Sequence, residues 1–367
     1  MAVADHVETR SPIRKSTGAP TPASNGQPTG PEREAAIQRL RMMMLIRRFE
    51  ERTFREYQTA GGLDANGHPL LRIGGFCHLY SGQEAIAVGI ASIFQKGKDY
   101  LINGYRCHGH SLALGMEPRT AMAELFGRAT GCSKGKGGSM HFFDAEVGNM
   151  GGHGIVGGHI PLALGFAFAQ KYKNTGGVTF CLFGDGAINQ GTHNETLNMA
   201  SLLKVPAIFI VENNGVAMGT QVARHSAEKD LAERGSGYNM PHRNIDGNDV
   251  DTVIAEMSEA AKRARAGEGP TYLVANTYRF RGHSMSDAMA YRTKEEAEAA
   301  KLRDPLTLYS ARLKQKGIIS DEQIETMLEE VSAAVSEATA QAEADPNPPL
   351  EDRFNDVLAE QYPYSPE

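Results

Sequence analysis

The sequence is poor in cysteine, in basic character and in long apolar runs, and each shortage excludes a class of protein. Its 367 residues include four cysteines, Cys77, Cys107, Cys132 and Cys181, far apart and without a C-x-x-C pair. That spacing argues against both a zinc site and a disulfide framework and points to a reduced, intracellular protein. No apolar run reaches the roughly 18 residues of a membrane span, and residues 1–30 carry no apolar core of a secretory signal. Acids outnumber bases by 44 to 38 with no long basic block, so neither nucleic acid nor a membrane surface is expected as the main partner. A small-molecule substrate fits this balance better.

What is present is enough for a sizeable core: 41% of residues are hydrophobic, sufficient for one large domain or two smaller ones. Residues 1–30, rich in Ser, Thr, Pro, Gly and Ala, read as a disordered tail. Asp5 and Glu8 within it argue against a mitochondrial transit peptide. A bacterial cytoplasmic protein is therefore expected, with the mitochondrial matrix as the alternative. Segment 31–69 begins as a packing helix, with Thr29 and Pro31 as start residues and Ile37, Leu40, Met44 and Ile46 on one face. Between residues 70 and 300, short apolar runs alternate with helical patterns, which predicts an α/β domain with a mostly parallel sheet flanked by helices. Residues 301–367 read as an exposed C-terminal helical extension and tail.

The run "CLFGDGAINQG" (181–191) places Asp185 between two glycines at the end of a predicted buried strand, residues 178–183. The helical stretch "NETLNMASLLK" and a second apolar strand, "PAIFIVENN", follow. In such a βαβ unit adjacent parallel strands expose their carboxyl ends on one edge, where open α/β folds bind ligands. Asp185 and Asn214 therefore converge. One carboxylate and one amide oxygen suit Mg²⁺ sharing its coordination with phosphate, although a tight turn with Asp185 capping the next helix remains the plain alternative.

Residues 187–212 separate GDG from Asn213-Asn214, and this interval resembles the thiamine diphosphate motif. With "GFCHLYSGQEA" (75–85), "KGKGGSMH" (134–141), "GIVGGHIPLALG" (154–165), "ENNGVAMGT" (212–220) and "RFRGHSMSDAMAYRTKEE" (279–296), the chain resembles the alpha subunits of the heterotetrameric 2-oxo acid dehydrogenase family, of the pyruvate type, over residues 35–350. The resemblance implies the thiamine diphosphate-binding fold with N-terminal and C-terminal helical extensions. It also implies decarboxylation of pyruvate with thiamine diphosphate and Mg²⁺, a separate beta subunit in an α₂β₂ tetramer, and acyl transfer to a lipoyl-bearing acyltransferase core. By the same resemblance Asp185, Asn214 and the Val216 carbonyl bind the metal. Gly186, Ala187 and Gln190 line the diphosphate, Arg279 and His283 neutralise it, Tyr105 and Arg106 contact the cofactor, and the Gly154 and Val156 backbone meets its aminopyrimidine ring. His78 contacts substrate, while His108 and His283 orient intermediates or shuttle protons.

His110, His153, His159 and His193 are expected to be interior, hydrogen-bonded residues. Two other motifs mislead. "GHGIVG" (152–157) matches the dinucleotide pattern, but "GNMG" before it does not read as a strand and no acid lies about 20 residues on. "GCSKGKGG" is one residue short of a Walker loop. Departures from the family pattern are Val216, where an aromatic is usual, and Ala290 and Gln221 at regulatory serine positions; Ser284 remains. Acetoin or branched-chain 2-oxo acid dehydrogenases are the alternative chemistry, and a non-catalytic nucleotide-binding or scaffold protein is the alternative class.

Overall fold

A computed structural model describes residues 30–63, 67 and 69–356. Among them, six parallel strands form one sheet: β3 (Tyr100–Gly104), β4 (Asn149–His153), β5 (Thr179–Gly184), β6 (Ala207–Asn213), β9 (His242–Asp246) and β10 (Thr271–Asn276), in the order β4-β3-β5-β6-β10-β9. Two short hairpins lie outside it, β1 (Ala60–Leu63) with β2 (Pro69–Leu71) and β7 (Val216–Ala217) with β8 (Thr220–Gln221).

The central strands are continuous apolar runs because both faces are covered. Alternate residues feed two separate cores. Cys181, Phe183, Phe209, Val211 and Val274 pack under α5 (His159–Tyr172) and α6 (Gly191–Leu203). Their neighbours Phe180, Leu182, Ile208, Ile210 and Leu273 face α2 (Glu84–Ala91) and α8 (Val250–Arg265). Chain order reverses at β3 and β5, which makes a crevice at the carboxyl end of the sheet.

Two readings are corrected by the structure. The last three residues of "GNMG" open a strand: β4 pairs parallel with β3, Leu101 opposite Asn149. An edge strand needs only backbone partners on one side, so a glycine-rich stretch without β-branched residues suffices here. The C-terminal helix α11 (Asp321–Ala344) is not simply exposed either. Met327, Val331, Val335, Ala338 and Ala342, three or four apart, form a buried stripe. It packs with α1 (Gly30–Gln58) and α4 (Pro118–Leu125), in the same core as Leu40, Met43, Ile46 and Phe49. Nearby are α3 (His108–Leu114) and α10 (Pro305–Gln315); α7 (Val222–His225) and α9 (Lys294–Lys301) are short surface helices. The tail expected over 1–30 lies, apart from Gly30, outside the described residues, as do residues 357–367.

The glycine-rich loop 131–138 wraps an anion supplied by the chain itself. Glu124, fully buried on α4, accepts the N–H groups of Ser133 and Gly135 on Oε2 at 2.7 and 2.9 Å, and those of Gly137 and Gly138 on Oε1 at 2.8 and 2.9 Å. Four backbone donors converging on one carboxylate form the cradle that a phosphate loop offers to its ligand. A Cβ at Gly131 would lie 2.4 Å from Glu124 Oε2, and Gly135 has φ +73°, so both positions require glycine.

Candidate active site

A cavity of about 230 Å³ opens at the carboxyl ends of β3, β4, β5 and β6. Adjacent strands β5 and β6 run parallel with Phe183 opposite Val211, and both Asp185 and Asn214 line the cavity beyond their tips. The two asparagines do different work. Asn213 Oδ1 accepts the Gly215 N–H at 3.1 Å and its amide donates to Asn276 Oδ1 at 2.8 Å, which fixes the turn at Gly215, φ +83°. Asn214 donates to Gln83 Oε1 at 3.2 Å, leaving its own Oδ1 buried with no hydrogen-bond partner.

Asp185 is 2% exposed. Burial pushes its carboxyl up from the ordinary carboxylate value, and a hydrogen bond from His225 pulls the other way. A buried carboxylate beside an orphaned amide oxygen is a donor set for a hard cation. No cluster of three His, Cys, Asp or Glu side chains suited to a metal occurs among the described residues; one carboxylate and one amide oxygen suit an octahedral ion that completes its coordination with phosphate and water. Val216 lines the cavity beside them. Gly186 permits the approach of the hairpin carrying it, since a Cβ there would lie 2.7 Å from that of Ala217.

The other wall is cationic. Arg106 donates to the carbonyls of Leu79 and His283 at 2.7 and 2.9 Å, and Arg279 to the Arg281 carbonyl at 3.0 Å and Tyr291 Oη at 2.8 Å. Both are buried, and among the described residues neither forms an ion pair with a carboxylate. Burial, then the charge of Arg279, lowers Arg106 to about 10. Two buried guanidiniums held by neutral oxygens make an anion site, and a diphosphate fits it. The same surroundings govern the imidazoles. His283 is lowered to about 4 by burial, Arg106 and Arg279, and His78 to about 2 by burial and the charges around it. Both are neutral near neutral pH, and His78 Nδ1 is buried without a partner.

The profile of the family described as dehydrogenase E1 component matches residues 41–351. This chain belongs to that family. It is 46% identical to the pyruvate dehydrogenase E1 component subunit alpha of Rhizobium meliloti over 327 residues, 89% of this chain and 90% of the relative. Identity is also 46% over 332 residues with the Zymomonas mobilis protein of the same name, covering 90% of each. The chloroplastic subunit alpha-3 of Oryza sativa is 37% identical over 351 residues, 93% of this chain and 79% of the relative.

In this E1 chain the cavity brings together Tyr105, Arg106, Val156, Asp185, Gly186, Ala187, Asn214, Val216, Arg279 and His283. His78 stands beside them, its ring 4.5 Å from that of Tyr105 and 5.2 Å from that of His283. Gly154 and Gln190 are not lining residues; Gln190 packs behind Gly157. His108 lies beneath the cavity, its Nδ1 donating to Glu50 at 3.1 Å and its Nε2 facing Ser139 Oγ at 2.9 Å. Both nitrogens are thus engaged by protein, and Ser139 also accepts the His78 backbone N–H at 3.1 Å. His153 and His159, read from sequence as interior, line the cavity, while His110 and His193 are buried away from it.

Sequence reasoning missed four supports of the E1 site. Glu50 on α1 also accepts the Tyr80 N–H at 2.9 Å, and Tyr80 Oη donates to Glu212 at 2.5 Å. Glu212 further accepts from His110 Nε2 at 2.9 Å and lines the cavity, and His225 reaches Asp185 from α7. Glu212 directly precedes the asparagine pair, which was a usable signal. For Glu50, Tyr80 and His225 no local pattern existed.

Proposed function

We propose that this chain is the alpha subunit of a pyruvate dehydrogenase. It binds thiamine diphosphate with Mg²⁺, works with a beta subunit in an α₂β₂ heterotetramer, and delivers an acetyl group to the lipoyl group of a partner acyltransferase core. Membership of the E1 family supports thiamine diphosphate, and the names of the relatives support pyruvate. The observation that carries the reading is the polarity of one cavity: the buried Asp185 carboxylate and the unpartnered Asn214 Oδ1 line it together with two buried guanidiniums that form no ion pair with a carboxylate among the described residues.

When bound, thiamine diphosphate supplies a carbon nucleophile for the ketone of the 2-oxo acid and takes up the electrons released as carbon dioxide leaves. The chain binds, orients and shields. Asp185, Asn214 and the Val216 carbonyl hold Mg²⁺, and Arg106 and Arg279 balance the diphosphate, with Gly186 and Ala187 along it. Tyr105 and Val156 line the cavity wall. His78 and His283, held neutral, would each offer a ring nitrogen for hydrogen bonding to the substrate. Glu50, His108 and Ser139 fix the backbone that carries His78.

Exposed apolar side chains support the partner. Leu162, Phe168 and Tyr172 on α5, Met199 and Leu202 on α6, and Ile155 and Met218 near the cavity mouth form faces that a second subunit covers. Bacterial relatives support a cytoplasmic location. The test is decarboxylation by the chain co-produced with its beta partner, offered pyruvate, 2-oxoisovalerate and acetoin. Pyruvate is expected to give the highest kcat/KM, with substrates one methylene larger about 10–200-fold poorer. A higher value for 2-oxoisovalerate or acetoin moves the assignment to those relatives, and full activity of the chain alone removes the beta subunit from the reading.

A further inference from the structure

One of the supports described above touches the proposed metal ligand directly. His225, the last residue of α7, places Nε2 3.2 Å from Asp185 Oδ2. Its side chain is 13% exposed, so the contact is sheltered from water.

The direction of this bond follows from its neighbours. Arg234 donates to Asn189 Oδ1 at 3.0 Å, which turns the other end of that amide, Nδ2, toward His225. Asn189 Nδ2 lies 3.1 Å from His225 Nδ1 and 3.1 Å from the His225 carbonyl. An amide nitrogen only donates, so Nδ1 accepts and the ring proton resides on Nε2. Nε2–H then donates to Asp185 Oδ2. Arg234, Asn189, His225 and Asp185 form one directional chain, each link setting the orientation of the next.

We propose that His225 is a positioning residue for the metal ligand Asp185, occupying Oδ2 and aiming Oδ1 at the divalent cation. This rests on the metal reading given under Proposed function. A ligating carboxylate free to rotate presents either oxygen or both, and Mg²⁺ tolerates little departure from octahedral geometry. Outer hydrogen-bond partners of ligands therefore contribute about 10–100-fold to metal affinity. Asn189 lies in the turn that follows Asp185, so the chain also ties α7 to the tip of β5.

The experiment uses the α₂β₂ assembly with thiamine diphosphate present and reads Mn²⁺ binding from the signal of the free ion in electron paramagnetic resonance. His225→Leu is expected to weaken Mn²⁺ about 10–100-fold. His225→Gln, which keeps an N–H donor at similar reach, is expected to restore most of the loss. Asn189→Leu, which does not touch Asp185, is expected to weaken Mn²⁺ in the same direction and by less. Wild-type or tighter binding in His225→Leu overturns the proposal, as does a Gln variant no better than Leu. Asp185→Asn is the control for the underlying reading. If it binds Mn²⁺ like wild type, the metal site is misplaced and the role of His225 falls with it; if it loses Mn²⁺ while His225→Leu does not, the role of His225 alone is refuted.

Discussion

Glu124→Gln is expected to destabilise the protein by about 3–4 kcal/mol without creating a cavity. The substitution is isosteric, so no packing contribution enters and the loss reports the cradle alone. In the native chain each carboxylate oxygen accepts two backbone N–H groups at 2.7–2.9 Å. Glutamine keeps one oxygen and turns an NH₂ toward the other two donors. Hydrogen bonds to a charged group are each worth about 1.5–3 kcal/mol net, so losing two costs about 3–6 kcal/mol, and relaxation of loop 131–138 recovers part of it. Urea unfolding followed by far-UV circular dichroism, with the oligomeric state matched to wild type, measures the difference. Because Ser139 follows this loop and bonds His78 and His108, activity is expected to fall as well. A loss below about 1 kcal/mol at unchanged m would show that the loop does not depend on the carboxylate.

Asp185→Ala is expected to abolish metal-dependent thiamine diphosphate binding by calorimetry while the circular dichroism spectrum stays native; wild-type affinity in that variant rules out the metal assignment. Gly186→Ala pushes a Cβ to 2.7 Å from that of Ala217, which is expected to cost about 1–3 kcal/mol in the melt and to weaken the cofactor through displacement of Val216. Acid should destabilise the fold in a defined window. His159 and His193 are lowered to about 4, chiefly by burial. The unfolded chain therefore protonates first as pH falls, and stability that is complete above about pH 6.5 drains away toward pH 4 by up to about 3 kcal/mol per histidine. Urea midpoints independent of pH across that interval would refute the sign.

The unit from β5 through α6 to β6 was legible because buried parallel strands are written as uninterrupted apolar runs, and the pairing of their carboxyl ends follows from topology. Asp185 and Asn214 could be placed from it. Strand β4 was not legible, since an edge strand of Asn, Met and Gly leaves no hydrophobic period. The stripe on α11 was partly hidden because alanines supply much of it and acids surround it. Glu50, Tyr80 and Glu212 were missed for another reason. Their partners lie 30 to 132 residues away, and a hydrogen bond across that distance leaves no local trace. Even the cradle of Glu124 was concealed: glycine spacing suggests an anion but does not say that the anion is the chain's own.

The pairing of α1 with α11 also bears on how the chain is made. Leu40, Met43, Ile46 and Phe49 leave the ribosome long before part of their cover, Met327 to Ala342. About 280 residues separate the two stripes, and at about 5–20 residues per second this is about 15 seconds to a minute of synthesis. Throughout that interval the face of α1 is left partly bare, and so is Glu50, whose partners Tyr80 and His108 arrive earlier but whose helix is not clamped until α11 docks. Slow synthesis between the two stripes therefore leaves the apolar face of α1 and the Glu50 carboxylate bare together.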